Sequence, residues 1–399
     1  MFLTPLLHLM AEKQASDLFF TAEAPIYIKI RGNVMPINNQ VLDADTVRRI
    51  AWEIMSDAQA KTFEETLEMN FSYGLKDVGS FRVNVFKQRS TVSMVIRHVK
   101  NQIPSLTDLR LPPSLGELAL EKRGLVLLVG ATGAGKSSTL AAMIDHRNRS
   151  RGGHILTIED PIEYNFSHKK SIINQREVGV DTLSYGHALV SAMREAPDVL
   201  VIGEIRDRET LQHAITYAQT GHLCIATLHA NNSHHALNRI VTFFPHETRA
   251  SLLMDLSMTL RAVISQRLLK TGDGSLVPAI EALMNTLSIQ ELIRKGDFDQ
   301  VRDMMEQSMT PGSQTFERSL FEHFSSGMVT QEEALAHSDS PTNLSWLINN
   351  AREKAVAPGR DGVQPAAPAS GRAPAAPSKV PVRTEGTDLG SFKFNMDVV

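Results

Sequence analysis

A run of apolar residues leads directly into a glycine-rich loop near the middle of the chain. Residues 125–129 are typical of a buried strand, the next segment matches G-x-x-x-x-G-K-[ST] in full, and residues 138–147 favour a helix. Strand, loop and helix in this order are the context that a phosphate-binding loop requires. The residues of the predicted loop and of the start of its helix are Gly130, Ala131, Thr132, Gly133, Ala134, Gly135, Lys136, Ser137 and Ser138. This feature predicts an α/β domain that binds a nucleoside triphosphate.

The residue types in this loop fit a triphosphate and a magnesium ion. Its glycines let backbone N–H groups point at the phosphates. Lys136 can reach the β- and γ-phosphates as a point charge, and the Ser137 hydroxyl is placed to ligate Mg²⁺. The positive end of the following helix faces the same anion. A glycine turn with a surface lysine is the alternative, and the register of strand, loop and helix argues against it.

Length and composition limit the architecture and the partners. At about 150 residues per domain, a chain of 399 residues is expected to form two folded domains and a tail. A net charge of −3 gives no electrostatic footprint for nucleic acid, so a nucleic-acid motor is disfavoured. The single cysteine, Cys224, lies in an apolar run and is expected to be buried in a reducing compartment.

The chain is expected to be cytoplasmic. Pro5 and His8 interrupt the apolar start, which has no basic segment before it, so a secretory signal is not predicted. No stretch approaches the roughly 20 apolar residues that a membrane span needs. Any membrane attachment is therefore expected to run through partner proteins.

Three changes of pattern predict the domain organisation. Residues 1–98 combine an amphipathic helix at the start with alternating strands such as 26–30 and 81–86, as in a small α+β domain. Residues 99–113 have the composition of a linker. Residues 114–350 carry short apolar strands separated by helices and turn helical after Pro278, which predicts a doubly wound core. Residues 351–399 are rich in Pro and Ala and predict a disordered tail.

Acidic side chains follow the predicted strands at their carboxyl ends, where open α/β sheets bind ligands. Glu159, Asp160 and Glu163 surround Pro161, which stops its strand, and one of them is placed to orient an attacking water. Solvated loop acids are the alternative. Glu204 follows the apolar run 199–202, in the position that holds Mg²⁺ through water in phosphate-loop enzymes.

Histidines flank the last predicted strand of this core. His229 stands at its carboxyl end and is placed to sense the γ-phosphate. His222 stands seven residues earlier, so the two would face opposite sides of one strand and would not share a metal. A structural role for His222 and a functional one stay open. His234 and His235 are expected on the surface of a loop.

These segments resemble the Walker A, Asp box, Walker B and His box of the type II/IV secretion ATPase superfamily. They are most similar to the type IV pilus retraction ATPases of its PilT/PilU group, and the motifs look more like PilU than PilT. The resemblance covers about residues 1–350. The segments that carry it are Ile158-Glu-Asp-Pro-Ile-Glu163, Asn174-Gln-Arg-Glu177-Val, Gly203-Glu-Ile-Arg-Asp207 and Thr220-Gly-His222 to His229.

The resemblance implies a PAS-like N-terminal domain, a RecA-like P-loop ATPase domain and a homohexamer that uses ATP and Mg²⁺. It implies that Glu163 activates water, that Glu204 handles Mg²⁺ and that His229 contacts the γ-phosphate. It also implies that Arg82 and Arg97 reach the nucleotide of a neighbouring subunit, although each arginine taken alone is better explained as a sheet-surface residue. Implied partners are a PilT-like ATPase and the inner-membrane platform protein of the pilus.

Some segments depart from the family pattern. Ser138 follows Ser137 where the family has threonine, and residues 289–296 only partly match the helix associated with retraction in PilT. The predicted function is ATP-driven pilus retraction. The alternatives are an accessory ring with secondary turnover, another secretion or DNA-uptake ATPase of the superfamily, and a RecA-like nucleic-acid translocase.

Overall fold

The computed structural model describes residues 2–30, 32–76, 78–99, 102–307 and 310–356. Its helices are α1 Leu3–Glu12, α2 Ala44–Ile54, α3 Asp57–Thr66, α4 Pro113–Ala119, α5 Lys136–Ser150, α6 Tyr185–Ala192, α7 Arg208–Gln219, α8 Ser233–Thr242, α9 Arg249–Thr259, α10 Leu287–Lys295, α11 Asp299–Gln307, α12 Phe316–Ser325, α13 Gln331–Ala336 and α14 Pro341–Val356. Its strands are β1 Asp17–Phe20, β2 Tyr27–Ile30, β3 Asn33–Pro36, β4 Glu68–Leu75, β5 Gly79–Gln88, β6 Thr91–Val99, β7 Gly124–Val129, β8 Gly153–Glu159, β9 Ser171–Glu177, β10 Val199–Ile202, β11 Leu223–Leu228, β12 Leu260–Lys270 and β13 Leu276–Met284.

The N-terminal strands form an antiparallel sheet in the order β3-β2-β1-β6-β5-β4. Without the hairpin strand β3, this order is that of a PAS-like domain, as predicted. Alternate residues of β5, Phe81, Val83 and Val85, are fully buried because one face of the sheet packs against the N-terminal helices. Asp43 caps α2, and its Oδ1 accepts a hydrogen bond from Thr46 N at 2.7 Å.

The second sheet has the order β13-β12-β7-β11-β10-β8-β9. Neighbouring strands from β12 to β9 run parallel, and β13 pairs antiparallel with β12. Leu125, Leu127 and Val129 of β7 join a core with helices α6 to α10, whereas Val126 and Leu128 join a core with α4 and α5. Helices therefore cover both faces of a mostly parallel sheet, which confirms the predicted doubly wound RecA-like domain.

The prediction that the chain turns helical after Pro278 is wrong for residues 279–284. β13 continues to Met284, and helices resume at α10. The cause is β12, which the sequence analysis did not identify. β12 pairs with β7 and offers its other edge to β13, with Leu268 opposite Pro278. Because β13 is an edge strand, the missing N–H of Pro278 is tolerated there.

The C-terminal part ends in helices. Phe316, Leu320, Leu344 and Ile348 form a small core with the ends of β12 and β13. Both sheets lie in one compact unit, Met1–Ile348, and α14 continues to Val356. The predicted disordered tail lies outside the described residues from 357 onward, and the proposed domain boundaries stay predictions. Among the described residues, no helix combines the length and apolarity that a membrane span demands.

Candidate nucleotide-binding site

The strand order brings the predicted site residues to one edge of the second sheet. β7, β11, β10 and β8 are parallel neighbours, so the segments that follow them meet at their carboxyl ends. There they line a cleft of about 460 Å³. The sequence-predicted residues that line it are Thr132, Gly133, Gly135, Lys136, Ser137, Ser138, Glu159, Asp160, Glu163, Glu204 and His229. The sheet therefore assembles residues that lie as much as 97 positions apart in the sequence, from Thr132 to His229.

The glycine-rich loop packs tightly against β12. Gly133 and Gly135 have φ angles of 81° and 86°, in the left-handed region that favours glycine. A Cβ on Gly130 would lie 2.7 Å from the carbonyl oxygen of Gln266, and Thr139 Oγ1 donates to Gln266 Oε1 at 2.7 Å. Gly135 precedes α5 and offers no side-chain cap. The first N–H groups of α5 therefore have no side-chain cap, and residues 136–138 line the cleft, where these groups can bind an anion.

Lys136 places a positive charge beside these N–H groups. Its Nζ donates to the carbonyl oxygens of Gly130 at 2.7 Å and Ala131 at 3.0 Å. Burial lowers the pKa of Lys136, while the carboxylates of Glu204 and Glu163 oppose that shift. The lysine and both acids line the same cleft.

Glu204 belongs to a network of charged groups. Its Oε1 lies 2.8 Å from His229 Nε2, and its Oε2 accepts from Arg206 Nε at 2.6 Å. Arg206 also donates to Asp160 Oδ2 at 3.0 Å, and the hydrogen bond to Glu204 raises the pKa of Arg206. These contacts hold the Glu204 carboxylate in one orientation. Arg206 was not singled out from the sequence, although it stands inside the quoted Gly203-Glu-Ile-Arg motif.

The three acids at the carboxyl end of β8 differ in their contacts and in their exposure. Glu159 Oε1 accepts from Thr157 Oγ1 at 2.6 Å and Gln175 Nε2 at 3.1 Å, and burial raises the pKa of Glu159. Asp160 is paired with Arg206. Glu163 is exposed on the cleft wall. Of these acids, Glu163 is the one that a water molecule in the cleft can reach most directly.

The other predicted histidines lie away from the cleft. His222 precedes the amino end of β11, where its Nδ1 lies 3.1 Å from Thr220 Oγ1 and its ring contacts Tyr217. A structural role therefore explains it. His234 and His235 open α8, so the prediction of a loop is wrong, because Asn232 caps this helix through His235 N.

Arg82 and Arg97 lie directly opposite each other on β5 and β6. Arg82 Nη2 is 3.5 Å from Glu177 Oε1 of the same chain, and Arg97 Nε donates to Asp17 Oδ1 at 2.8 Å. Neither arginine lines the cleft. Their assignment to the nucleotide of a neighbouring subunit stays a prediction.

The sequence analysis missed two tyrosines at the site. Tyr164 OH lies 2.7 Å from Ser138 Oγ and fixes the start of α5. The Tyr185 hydroxyl is buried, and no hydrogen-bond partner is found for it among the described residues. Burial and the nearby Asp160 carboxylate raise the pKa of Tyr185. Tyr164 directly follows the quoted motif that ends at Glu163, whereas the segment before Tyr185 carries no recognised motif.

The donor set of the cleft fits a magnesium ion held jointly with a nucleotide. Ser137 and Glu204 present oxygen atoms to the same cleft, and Mg²⁺ usually takes one or two carboxylates together with phosphate oxygens and waters. Within the described ranges, no cluster of three His, Cys, Asp or Glu side chains is able to bind a metal by itself. Ser137 and Glu204 are the residues that would hold the ion.

Comparison with known proteins places the chain in a family. The family described as type II/IV secretion system protein matches residues 1–313. The type IV pilus ATPase PilU of Pseudomonas aeruginosa is 48% identical, over 86% of this chain and 90% of the relative. The PilT ATPase of the same organism is 40% identical, over 86% of this chain and 99% of the relative. The difference between the two agrees with the predicted likeness to PilU.

Solved structures agree with this assignment. The crystal structure of the pilus retraction motor PilT with bound ADP matches with a TM-score of 0.80 and 40% identity, covering 86% of this chain and 99% of that one. The DotB ATPase of Legionella pneumophila shares the fold, with a TM-score of 0.70 at 24% identity over 84% of this chain and 94% of that one. The chain belongs to the type II/IV secretion system protein family and, within it, to the PilT/PilU group of type IV pilus ATPases.

Proposed function

We propose that this chain binds ATP and Mg²⁺ in the cleft, hydrolyses the ATP, and thereby powers type IV pilus retraction and twitching motility. The observation that carries the proposal is the meeting of Lys136, Glu163, Glu204 and His229 around one cleft at the carboxyl ends of parallel strands. Membership of the PilT/PilU group supports the link to the pilus.

Each group has a part in phosphoryl transfer to water. Lys136 and the N–H groups at the start of α5 hold the phosphates. Magnesium, when bound by Ser137 and Glu204, neutralises charge on the phosphate oxygens. Glu163 accepts a proton from the attacking water, and His229 donates a hydrogen bond toward the γ-phosphate. Arg206 keeps the Glu204 carboxylate in place, and the N–H of His229 exchanges its contact with Glu204 for the γ-phosphate.

The motor is proposed to be a homohexamer in the cytoplasm, held at the inner membrane through the pilus machine. Its partners would be the platform protein of the pilus and a PilT-like ATPase. Movement of the N-terminal domain against the neighbouring ATPase domain would transmit the force. Arg82 and Arg97 would stabilise the transition-state charge across the subunit boundary, which requires them to leave Glu177 and Asp17.

Glu163→Gln tests the proposed chemistry. The variant should bind an ATP analogue as the wild type does, but its phosphate release should fall about 100-fold or more, because loss of a general base typically costs 10²–10⁴. Glu121→Gln is the matched control, since Glu121 is exposed before the amino end of β7. Wild-type turnover in Glu163→Gln would contradict the role of Glu163.

An auxiliary ring is the second candidate function. The higher identity to the PilU relative than to the PilT relative favours a role beside a dominant motor. Pilus retraction should be measured in cells with and without this chain, each in the presence and in the absence of the PilT-like ATPase. Retraction driven by this chain alone would identify an autonomous motor, and retraction only with the partner present would identify an auxiliary one. ATPase stimulation by DNA would instead favour a translocase.

A further inference from the structure

Two arginines face each other on the N-terminal sheet, and each needs a compensating charge. Arg82 and Arg97 are directly opposed on β5 and β6, an arrangement that destabilises a sheet when both charges stand alone. Asp17 of the same sheet compensates Arg97. The compensating group for Arg82 is Glu177, which ends β9 of the second sheet. The contact therefore joins the two sheets.

Glu177 also holds the segment that carries Glu163. Glu177 is 4% exposed, and while its Oε1 faces Arg82, its Oε2 accepts a hydrogen bond from Ile162 N at 3.1 Å. Ile162 directly precedes Glu163. One buried carboxylate thus bridges an arginine of the N-terminal sheet and the backbone beside the proposed catalytic acid.

The backbone of Glu177 is firmly placed, so the bridge transmits position. Glu177 pairs in register with Glu159 of β8. Its own N–H donates to Asp181 Oδ2 at 2.9 Å, and its carbonyl oxygen accepts from the N–H groups of Asp181 and Thr182 at 2.8 and 3.2 Å. Because the main chain of Glu177 is held on both sides, only its side chain can shift, together with the two groups that the carboxylate binds.

The Arg82 end of the bridge is only partly satisfied. Its distance of 3.5 Å to Glu177 exceeds the 2.7–2.9 Å that is usual for a charge-assisted hydrogen bond. The Nη1 atom of Arg82 is buried, and no hydrogen-bond partner for it is found in the described part of the chain. A small movement of the N-terminal sheet can therefore tighten or break this contact.

We propose that Glu177 is a positioning residue that couples the placement of the N-terminal domain to the placement of Glu163. With Arg82 in contact, the carboxylate is charge-compensated and holds Ile162 N–H, which fixes the segment 160–163. When the N-terminal domain moves away, the buried carboxylate loses its cation, and its hydrogen bond with Ile162 N–H weakens. This inference rests on the proposed role of Glu163.

Because Glu177 does not line the cleft, its loss should affect turnover and spare nucleotide affinity. A double-mutant cycle on the full-length protein measures the coupling, using Arg82→Gln, Glu177→Gln and the double variant. Glu177→Gln should lower kcat about five- to tenfold. Arg82→Gln should lower it further, because it also removes the proposed trans-acting arginine, and the double variant should be no slower than Arg82→Gln. Affinity for an ATP analogue should stay within about twofold of the wild type. A double variant slowed by the product of the two single effects would overturn the proposal.

Glu195→Gln is the matched control for the cycle. Glu195 Oε1 accepts from Arg176 Nη1 at 2.8 Å and from Ser191 Oγ at 2.9 Å. Arg176 directly precedes Glu177 in β9, and both partners of the Glu195 carboxylate lie outside the segment 160–163. Its kcat should equal that of the wild type. A loss equal to that in Glu177→Gln would show that any ion pair at this edge matters, which overturns the specific bridge.

Hydrogen exchange provides a readout that does not need a Glu177 variant to fold. In Arg82→Gln, the backbone amide of Ile162 should exchange faster, and unchanged exchange in a peptide covering residues 160–164 would overturn the coupling. Glu163→Gln separates the two proposals. If Glu163→Gln keeps full turnover, the proposed role of Glu163 fails; if it is inactive while Arg82 and Glu177 act additively, only the bridge fails.

Discussion

His229 Nε2 lies 2.8 Å from Glu204 Oε1, which joins the segments that follow two adjacent strands. β10 and β11 pair in parallel with Ile202 opposite Ala226, so the residues beyond their carboxyl ends come together. The contact orients the imidazole ring and the carboxylate at once. In the proposed mechanism it aligns a phosphate-sensing group with a magnesium-handling group.

Replacing His229 and His222 in turn tests which histidine belongs to the chemistry. His229→Ala should lower kcat about 10- to 100-fold, because it removes an oriented donor from the site. His222→Ala should keep kcat within about twofold, since its contacts are with Thr220 and Tyr217 at the other end of β11. Steady-state phosphate release measures both. Equal losses in the two variants would contradict the division of roles.

Arg206 is expected to support Glu204 without touching the nucleotide. Arg206→Ala removes the partner of both Glu204 and Asp160, so kcat should fall about tenfold through a misplaced carboxylate. Higher Mg²⁺ concentrations should restore part of the rate. Arg194→Ala, at an exposed position, is the control. A wild-type magnesium dependence in Arg206→Ala would count against the supporting role.

Much of the site was predictable because the residues that line the cleft lie in short contiguous motifs. Each part of the site comes soon after an apolar run in the sequence. These parts are the loop from Gly130 to Ser138, Glu163, Glu204 and His229. Since parallel strands bring their carboxyl ends to one edge, the apolar runs alone implied the cleft. The two-sheet architecture followed from the change between alternating and continuous apolar patterns.

What the sequence did not reveal depends on contacts between distant segments. Gln266 lies beneath the loop because β12 pairs with β7, and the residue pattern of β12 does not indicate which strand it pairs with. The bridge from Arg82 to Glu177 spans 95 positions. A periodic pattern indicates which face of a strand is buried, but it does not indicate which distant carboxylate meets that face.

A buried acid away from the cleft should make stability depend on pH. Glu281 is 7% exposed and accepts hydrogen bonds from Ser233 N and from the hydroxyls of Ser233 and Ser265. Burial raises the pKa of Glu281 above its ordinary value of 4.5. Between these two values the folded state binds more protons than the unfolded state, so the contribution of Glu281 to stability falls as pH rises.

Glu281→Gln has no such titration. Its thermal midpoint relative to the wild type should therefore rise as pH increases from about 4.5 through the raised pKa. Calorimetric midpoints of both proteins, taken across this range at fixed nucleotide concentration, measure the difference. A difference that stays constant with pH, or that moves in the opposite direction, would contradict the raised pKa.

ATP turnover by full-length protein carrying Lys136→Ala tests the central claim most directly. Lys136 lines the cleft together with Glu204 and Glu163, so its loss should lower kcat/KM by about 10²–10³ or more. Lys122→Ala, at an exposed position before the amino end of β7, should leave the rate unchanged. Wild-type turnover in Lys136→Ala would show that ATP is not hydrolysed in this cleft.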